Sequence, residues 1–209
     1  MNKVNAKYER FFFESRCITS NVDKRIPVLD PINLRSCLET LISDQDVEDE
    51  TKLLIGLLFS GGMRISEALN LKRSDFNRDN SGTYTAKVSV LKKRKKNIER
   101  DASIHPLLNG LLAEKLASKR YNESLFRERA TKRSPAKELK RQNALKKIKK
   151  VFGKGMTNHS LRHSNVALLL HLKYTATQIG RILEMTTSNV QFYSHVNASR
   201  EMKNVFAGI

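Results

Sequence analysis

Apolar residues recur three and four positions apart through most of the chain, which is the spacing of one buried helix face. Residues 53–58 and 65–69 carry the clearest stripes, and the second stripe follows directly on Gly61-Gly62. Pro106 stands at a position where a helix can begin. The same spacing predicts further helices at residues 107–116, 135–151, 166–172 and 179–183.

The period changes between residues 84 and 104, where apolar and polar residues alternate. Residues 84–90 alternate in this way, and further along Ile98, Arg100, Ala102 and Ile104 share one phase. Alternation is typical of a half-buried strand, so residues 92–97 are expected to form the tip of an antiparallel pair. The whole pattern predicts a mainly α fold with a small antiparallel β-hairpin or sheet.

The composition adds a strong positive charge to this picture. Among 209 residues, 39 Lys and Arg stand against 21 Asp and Glu, which gives a formal net charge of +18 and a pI near 10.1. Residues 119–150 contain 13 basic and 3 acidic residues and so contribute +10 of that charge. An excess of this size predicts a polyanionic partner, and nucleic acid is the first expectation.

Other classes of protein are excluded by what the sequence lacks. Cys17 and Cys37 are too few for a disulfide framework or a zinc site. The longest apolar segments, residues 53–59 and 166–172, fall far short of the ~20 residues of a membrane span. The start of the chain has no apolar stretch long enough for a signal peptide. We therefore expect a cytoplasmic protein with reduced thiols and no membrane partner.

Three short segments carry the candidate chemistry. Arg64 follows two glycines at the head of a helix, where the backbone can turn sharply and approach a phosphate closely. His159 and Arg162 are three residues apart, so on a helix they face the same way. Tyr193 lies in the polar segment FYSHVN near the C-terminus. Each residue alone is unremarkable on a protein surface, and it is their order that points to a function.

Together these segments resemble the tyrosine recombinase (phage integrase) family. Three boxes of that family occur in order: Gly-x-Arg-x-x-Glu before a leucine-containing helix, then His-x-x-Arg-His, then Tyr-x-His-Val. The matching residues are Gly62, Arg64, Glu67, Leu69 and Leu71, then His159, Arg162 and His163, then Tyr193, His195 and Val196. The basic hairpin tip also lies between the first two boxes, where the family places its catalytic lysine.

The resemblance implies the tyrosine recombinase catalytic-domain fold and a division of the chain. Residues 1–25 are expected to be an N-terminal arm or remnant linker, residues 26–199 the catalytic domain and residues 200–209 a C-terminal tail helix. Met202, Val205, Phe206 and Ile209 form one apolar face of that tail. Such a face must dock on its own domain or on a neighbouring protomer.

The resemblance also implies a reaction with a role for each residue. Tyr193 attacks a DNA phosphodiester and forms a 3′-phosphotyrosyl intermediate with a free 5′-hydroxyl, so that strands are rejoined without ATP. Arg64 and Arg162 stabilise the charge on the non-bridging oxygens, because a guanidinium binds phosphate bidentately. His159 hydrogen-bonds the phosphate or helps to take the tyrosine proton. No cofactor and no metal are required.

A lysine at the hairpin tip is expected to protonate the leaving 5′-oxygen. Strand register favours Lys92, whereas counting back from the second strand favours Lys95, and we take Lys92 as the candidate. Other basic residues of the tip and of residues 119–150 are candidates for DNA-backbone contacts, which orient a protein without reading sequence. These candidates are Lys93, Arg94, Lys95, Lys96, Lys140, Arg141, Lys147 and Lys150.

One departure from the family pattern concerns the site itself. The family has Leu-Gly-His or Leu-Gly-Trp before the nucleophile, whereas this chain has Leu183-Glu184-Met185. The interval from there to Tyr193 is also one residue shorter than the common pattern. Met185 is expected to fill the position of the His or Trp, so one hydrogen-bond donor is missing, although Met can still pack there. Slower chemistry, a substitute donor such as His195 and lost activity all remain open.

A second departure concerns the front of the chain. Full-length relatives carry a separate core-binding domain of about a hundred residues, which is an ordinary domain size. Here only 25 residues precede the segment expected to be catalytic. The chain is either naturally minimal or a fragment.

Three functions remain compatible with these residues. The leading one is a site-specific recombinase of duplex DNA, working as a tetramer through the C-terminal tail and as a monomer or weak dimer off DNA. The first alternative is type IB topoisomerase-like relaxation of DNA, which the short chain and the tail disfavour. The second is a non-catalytic DNA-binding protein that retains the fold. Met185 favours this last reading, and the intact Arg64, His159, Arg162 and Tyr193 oppose it.

Overall fold

A computed structural model describes residues 5–19, 22–92, 95–127 and 137–191 of the chain. The helices in these ranges are α1 (Ala6–Glu9), α2 (Leu34–Ser43), α3 (Asp49–Ser60), α4 (Ile65–Leu69), α5 (Asn109–Ala117), α6 (Arg141–Phe152), α7 (Asn158–His171), α8 (Ala176–Leu183) and α9 (Thr187–Gln191). The strands are β1 (Phe12–Thr19), β2 (Val22–Leu29), β3 (Phe76–Arg78), β4 (Tyr84–Lys92) and β5 (Lys95–Ser103). The predicted class, mainly α with small antiparallel sheets, is confirmed. No helix of the described ranges is long and apolar enough to cross a membrane.

The strands form two antiparallel sheets. β3, β4 and β5 lie in that order. Val88 of β4 is paired with Arg100 of β5, as the alternating pattern predicts. β1 and β2 form a separate hairpin that the sequence pattern does not predict. β2 crosses the expected boundary at residues 25–26, and its end is tied to α7, because Leu29 N–H donates to Ser164 Oγ at 2.8 Å.

The core is centred on α3, whose residues 51–59 are all buried. α7 packs against both α3 and β2, and α4 packs against β4. A second and much smaller cluster lies between α7, α8 and α9, and its buried members are Val166, Ile179, Leu183 and Val190. The first half of α7 therefore packs mainly against the large core, and the second half packs mainly against the small cluster.

Two predicted helices have different bounds in the structure. The helix expected from residue 135 begins at Arg141, because Glu138 instead pairs with Arg127 in an isolated β-bridge. The helix expected from residue 166 begins at Asn158, where the side chain of Thr157 accepts a hydrogen bond from Ser160 N–H. The earlier start places His159 and Arg162 in the first two turns of α7.

Candidate active site

A glycine turn joins α3 to α4 and sets the direction of Arg64. Gly62 has a φ of +54°, and a Cβ atom there would lie 2.6 Å from both Asn165 Oδ1 and Leu183 Cδ2. A left-handed backbone with no space for a side chain requires glycine. The turn places Arg64 at the N-cap of α4, with 31% of its side chain exposed. Arg64 thus lies at the edge of the core with access to solvent.

A carboxylate in the first turn of α4 orients Arg64. The Glu67 side chain has 0% exposure, and its two oxygens accept hydrogen bonds from the backbone N–H of Arg64 at 2.8 Å and from Arg64 Nη1 at 2.5 Å. Glu67 Oε2 also lies 3.7 Å from Arg100 Nη2 and from Arg162 Nη1. Three guanidinium groups therefore converge on one buried carboxylate. Such a charge is tolerated in a core only when it is paired and hydrogen-bonded.

The carbonyl groups of the glycine turn accept hydrogen bonds from two other elements. Asn165 of α7 donates from Nδ2 to the carbonyl oxygens of residues 59 and 60, at 2.8 and 3.1 Å. Arg100 of β5 donates from Nη2 to the carbonyl oxygens of residues 61 and 62, at 3.0 and 3.4 Å. Because a buried carbonyl without a partner is costly, these donors hold the turn in one conformation.

Arg162 reaches the same turn from α7. It is 4% exposed, and it donates from Nη1 to Gly62 O at 2.5 Å and from Nη2 to Leu183 O at 2.7 Å. The second bond connects it to the C-terminal end of α8. The two arginines that the sequence analysis singled out, Arg64 and Arg162, are thus brought to one carboxylate, Glu67.

Two histidines stack on α7 beside these arginines. The ring centroids of His159 and His163 are 5.9 Å apart, with an angle of 28° between the planes. Burial lowers the pKa of His159, and the nearby charges of Arg141, Arg162 and Arg64 lower it further. Burial lowers the pKa of His163 to about 4, and the charges of His159 and Arg162 act in the same direction. Both rings are therefore mainly neutral at pH 7, and a neutral imidazole can accept a proton.

The segment around Met185 ends α8 with a left-handed residue. Glu184 has φ 50° and ψ 54°, and the N–H of Met185 donates to Gly180 O at 2.9 Å. Glycine is the usual residue at such a helix end, because it adopts a left-handed backbone without a steric penalty. The Met185 side chain is half-buried against the small cluster between α7, α8 and α9. It offers no hydrogen-bond donor.

The hairpin tip is described only in part. Lys92 ends β4 and Lys95 begins β5, and the two are paired across the strands after a bulge between Val90 and Lys92. Lys96 follows in β5, whereas Lys93 and Arg94 lie outside the described residues. Both candidate lysines therefore lie at strand ends beside the tip, and Lys92 stays the prediction.

The predicted nucleophile, Tyr193, lies outside the described residues, as does the apolar face at residues 202–209. The described part of the chain ends in α9, where Val190 is buried against Ile179 and Leu183. The segment that leads into Tyr193 is thus a short helix packed on α8.

The first turn of α6 borders the arginine cluster. Arg141 begins this helix and lies close enough to His159 for its charge to lower the pKa of that histidine. Lys140 is the N-cap residue directly before it. Of these two predicted DNA contacts, Arg141 is therefore the one whose charge reaches a candidate catalytic residue.

Two other predicted DNA contacts, Lys147 and Lys150, lie further along α6. They line a cleft of about 380 Å³ together with acidic residues of the α2–α3 loop, and Lys147 forms an ion pair with Glu48. An ion pair this exposed is worth less than about 1 kcal/mol, so a phosphate could replace it. In the described part of the chain, no three His, Cys, Asp or Glu side chains cluster as ligands for a metal ion.

Arg100 and Asn165 lie in the site but in none of the three sequence motifs. Each has a buried polar atom, Nε in Arg100 and Oδ1 in Asn165, that has no hydrogen-bond partner among the described residues. A signal for Arg100 was available, because it shares the strand phase of Ala102 and Ile104, which are buried. Asn165 follows Arg162 by three residues on α7, so it lies on the same helix face.

Comparison with known proteins identifies the family. The phage integrase family profile matches residues 28–200, which is most of the chain. The chain therefore belongs to the phage integrase family, the tyrosine recombinases, and the resemblance seen in the sequence is confirmed. No curated protein matches the sequence.

Solved structures of recombinases share this fold. XerH site-specific recombinase bound to palindromic difH substrate has a TM-score of 0.67 at 23% identity, over 90% of this chain and 55% of XerH. XerA recombinase has a TM-score of 0.63 at 21% identity, over 86% of this chain and 64% of XerA. The Tn1549 transposon integrase (residues 82–397) in complex with circular intermediate DNA has a TM-score of 0.54 at 17% identity, over 85% of this chain and 66% of that chain. These matches show the catalytic-domain fold, and the chain spans little more than half of XerH.

Proposed function

We propose that this chain is the catalytic part of a site-specific recombinase that cuts and rejoins duplex DNA through Tyr193. The observation that carries the proposal is the convergence of Arg64 and Arg162 on the buried carboxylate of Glu67. Cations held in place before the reaction suit a phosphodiester, whose non-bridging oxygens gain charge in the transition state. Membership of the phage integrase family supports the same reaction.

The proposed step exchanges one ester bond for another. Tyr193 Oη attacks the phosphorus, a bond forms between the phosphate and the tyrosine, and the bond from phosphorus to the 5′-oxygen breaks. Lys92 gives a proton to that leaving oxygen. His159, mainly neutral at pH 7, takes the tyrosine proton or hydrogen-bonds a non-bridging oxygen. Attack by the 5′-hydroxyl of another strand then restores a phosphodiester and releases Tyr193.

Duplex DNA is the proposed partner. A structural neighbour, the Tn1549 transposon integrase, is in complex with circular intermediate DNA. The charge of Arg141 acts on His159, and Lys140 directly precedes Arg141 at the start of α6, so we place both at phosphates near the cleaved one. The tip residues and the distal residues of α6 would contact the backbone further away. These proposed contacts are Lys93, Arg94, Lys95, Lys96, Lys147 and Lys150.

Assembly is a further part of the proposal. We propose that residues 1–25 form an arm or linker, residues 26–199 the catalytic domain and residues 200–209 a tail helix. The apolar face of that tail joins four protomers on DNA, and off DNA the protein is a monomer or weak dimer.

A second candidate function is DNA binding without catalysis. The observation that favours it is Met185, which packs against the small cluster and supplies no donor at the place where the family has His or Trp. The arginines and His159 would then serve only to hold a phosphate.

A covalent trap tests both candidates. Wild type, Tyr193→Phe and the control Tyr174→Phe are expressed in a host that carries the candidate element, and protein-linked DNA is recovered in detergent and sequenced. Tyr174 is the matched control because it is 41% exposed and loses the same hydroxyl. We expect adducts at one site from wild type and Tyr174→Phe, and none from Tyr193→Phe.

Each other outcome has a distinct meaning. Adducts that persist in Tyr193→Phe would contradict the assignment of the nucleophile. Adducts scattered over all DNA would indicate topoisomerase-like relaxation. No adduct from wild type, with DNA binding intact, would favour the non-catalytic candidate.

A further inference from the structure

Arg100 is a charged residue on the buried face of the three-stranded sheet. It lies on β5 opposite Val88, which is fully buried, and only 5% of its own side chain is exposed. Next in the same phase is Ala102, which is also buried. Packing alone would favour an apolar residue at this buried position. The presence of a guanidinium there therefore needs an explanation other than packing.

The contacts of Arg100 all lead to the arginine cluster. Its Nη2 donates to the carbonyl oxygens of Gly61 and Gly62, at 3.0 and 3.4 Å, and lies 3.7 Å from Glu67 Oε2. Its Nε is buried without a hydrogen-bond partner among the described residues. Replacement of a buried ion pair by well-packed apolar residues is often neutral or stabilising, so this arrangement is weak evidence for a role in stability. The arrangement is better explained by the groups that the guanidinium holds in place, which are Glu67 and the glycine turn.

We infer that Arg100 is a positioning residue for the strand-cleavage reaction, which holds Glu67 and the glycine turn so that Arg64 meets the phosphate. The inference rests on the proposed function. Arg100 is not a DNA contact in this role. It acts through Glu67, whose oxygens accept both hydrogen bonds from Arg64.

The contacts of Arg100 also connect the hairpin with the basic tip to the turn that precedes Arg64. β5 begins at Lys95 beside the tip and reaches Arg100 about 17 Å further on, at roughly 3.4 Å per residue. Because Arg100 is bonded to the turn that precedes Arg64, the strand cannot slide without disturbing that turn. The hairpin that contains Lys92 and the turn that precedes Arg64 are thus held in a fixed position relative to each other.

The test compares Arg100→Met, Arg100→Lys and the control Arg78→Met. Arg78 is an exposed arginine of the same sheet that also donates to a glycine carbonyl, from Nε to Gly82 O at 3.2 Å. Single-turnover cleavage is measured at saturating DNA, together with the Kd for DNA and the Tm of each variant. Saturating DNA separates a loss of chemistry from a loss of binding.

We expect Arg100→Met to slow cleavage by about 30-fold, within the range of a displaced catalytic group. The Kd should change less than about twofold, since Arg100 is not a proposed DNA contact. The Tm should fall, because the substitution removes one partner of a buried charge pair, so cleavage is measured well below the Tm of each variant. Arg100→Lys should recover part of the rate, and Arg78→Met should cleave at the wild-type rate. Cleavage by Arg100→Met at the wild-type rate, or a rate loss that disappears when the variant is assayed well below its Tm, would overturn the inference.

A second readout does not depend on activity. In protein labelled with ¹⁵N-arginine, the Nε–H signal of Arg64 is assigned with Arg64→Lys and followed in the Arg100 variants. The signal should shift in Arg100→Met and return toward the wild-type position in Arg100→Lys. An unchanged Arg64 signal would overturn the inference. If wild type forms no covalent adduct, the proposed function fails, and this signal still decides whether Arg100 positions Arg64.

Discussion

The two sides of Arg162 are built in different ways. On one side lies the glycine turn, where the carbonyl oxygens of residues 59–62 all accept hydrogen bonds from side chains of α7 or β5. On the other side lie α8 and α9, which share a cluster of four buried residues. Leu172, Tyr174 and Ile182 are exposed there by 56%, 41% and 40%. The first side is anchored in the main core, and the second is not.

Backbone strain follows the same division. In the described part of the chain, the non-glycine residues with positive φ are Lys173 and Glu184, one before and one after α8. Segments with few buried contacts open at low free energy, and α8–α9 leads directly into Tyr193. We propose a division of labour in which the main core holds the candidate cations Arg64 and Arg162 firmly, and the segment before Tyr193, the proposed nucleophile, is held by fewer buried contacts.

The sharpest way to break the rigid side is Glu67→Gln. This change leaves the guanidiniums of Arg64, Arg100 and Arg162 facing an uncharged amide, and breaking a buried ion pair destabilises a protein by about 4 kcal/mol. We expect a loss of this size in the free energy of unfolding, measured by urea denaturation. Glu39→Gln is the control, since Glu39 is exposed and pairs with Arg35 on one helix face, and it should change stability by less than about 0.5 kcal/mol. Equal effects at the two positions would contradict the role of Glu67 as a buried hub.

A smaller loss is expected from Gly62→Ala. Alanine would have to adopt the left-handed backbone at φ +54°, and its Cβ would lie 2.6 Å from Asn165 Oδ1. We therefore expect the free energy of unfolding to fall by about 2 kcal/mol or more. Gly110→Ala is the matched control, because a Cβ there has no atom within 4 Å and α5 gains a better helix former. It should stabilise the protein by about 0.5–1 kcal/mol. Thermal unfolding of both variants measures the contrast, and a stable Gly62→Ala protein would show that the turn is not rigid.

The smallest effect is expected on the loose side, at Glu184. Glu184→Gly and Glu184→Ala both remove the carboxylate, but only glycine removes the penalty of the left-handed backbone. We expect the glycine variant to be more stable than the alanine variant by about 1 kcal/mol in thermal unfolding. Equal stabilities would mean that α8 relaxes its C-terminal end in solution, and the proposed strain would then be absent.

Most elements of the fold could be predicted because their buried faces are apolar. The stripes at residues 53–58 and 65–69 and the alternation in β4 and β5 all report a face turned to the core. The first half of α7 was not predicted as helix because its buried face is polar: Ser160, Arg162, Ser164 and Asn165 are all buried. A helix that carries a site on its inner face loses the apolar pattern at that point.

The β1–β2 hairpin was missed for a related reason. Residues 12–19 and 22–29 mix apolar and charged residues without a two-residue alternation, although the strands pair along their whole length. Backbone hydrogen bonds and the contact of β2 with α7 define this hairpin, and neither leaves a hydrophobic period.

By itself the sequence determined the family, the basic character and the order of the candidate residues Arg64, His159, Arg162 and Tyr193. These are properties of residue type and spacing, which local patterns carry. Only the tertiary structure decided that Arg64, Arg100 and Arg162 meet at one carboxylate. The reason is physical: a buried Glu67 must find cations and donors wherever the packed elements bring them, and distance along the chain does not encode which elements those are.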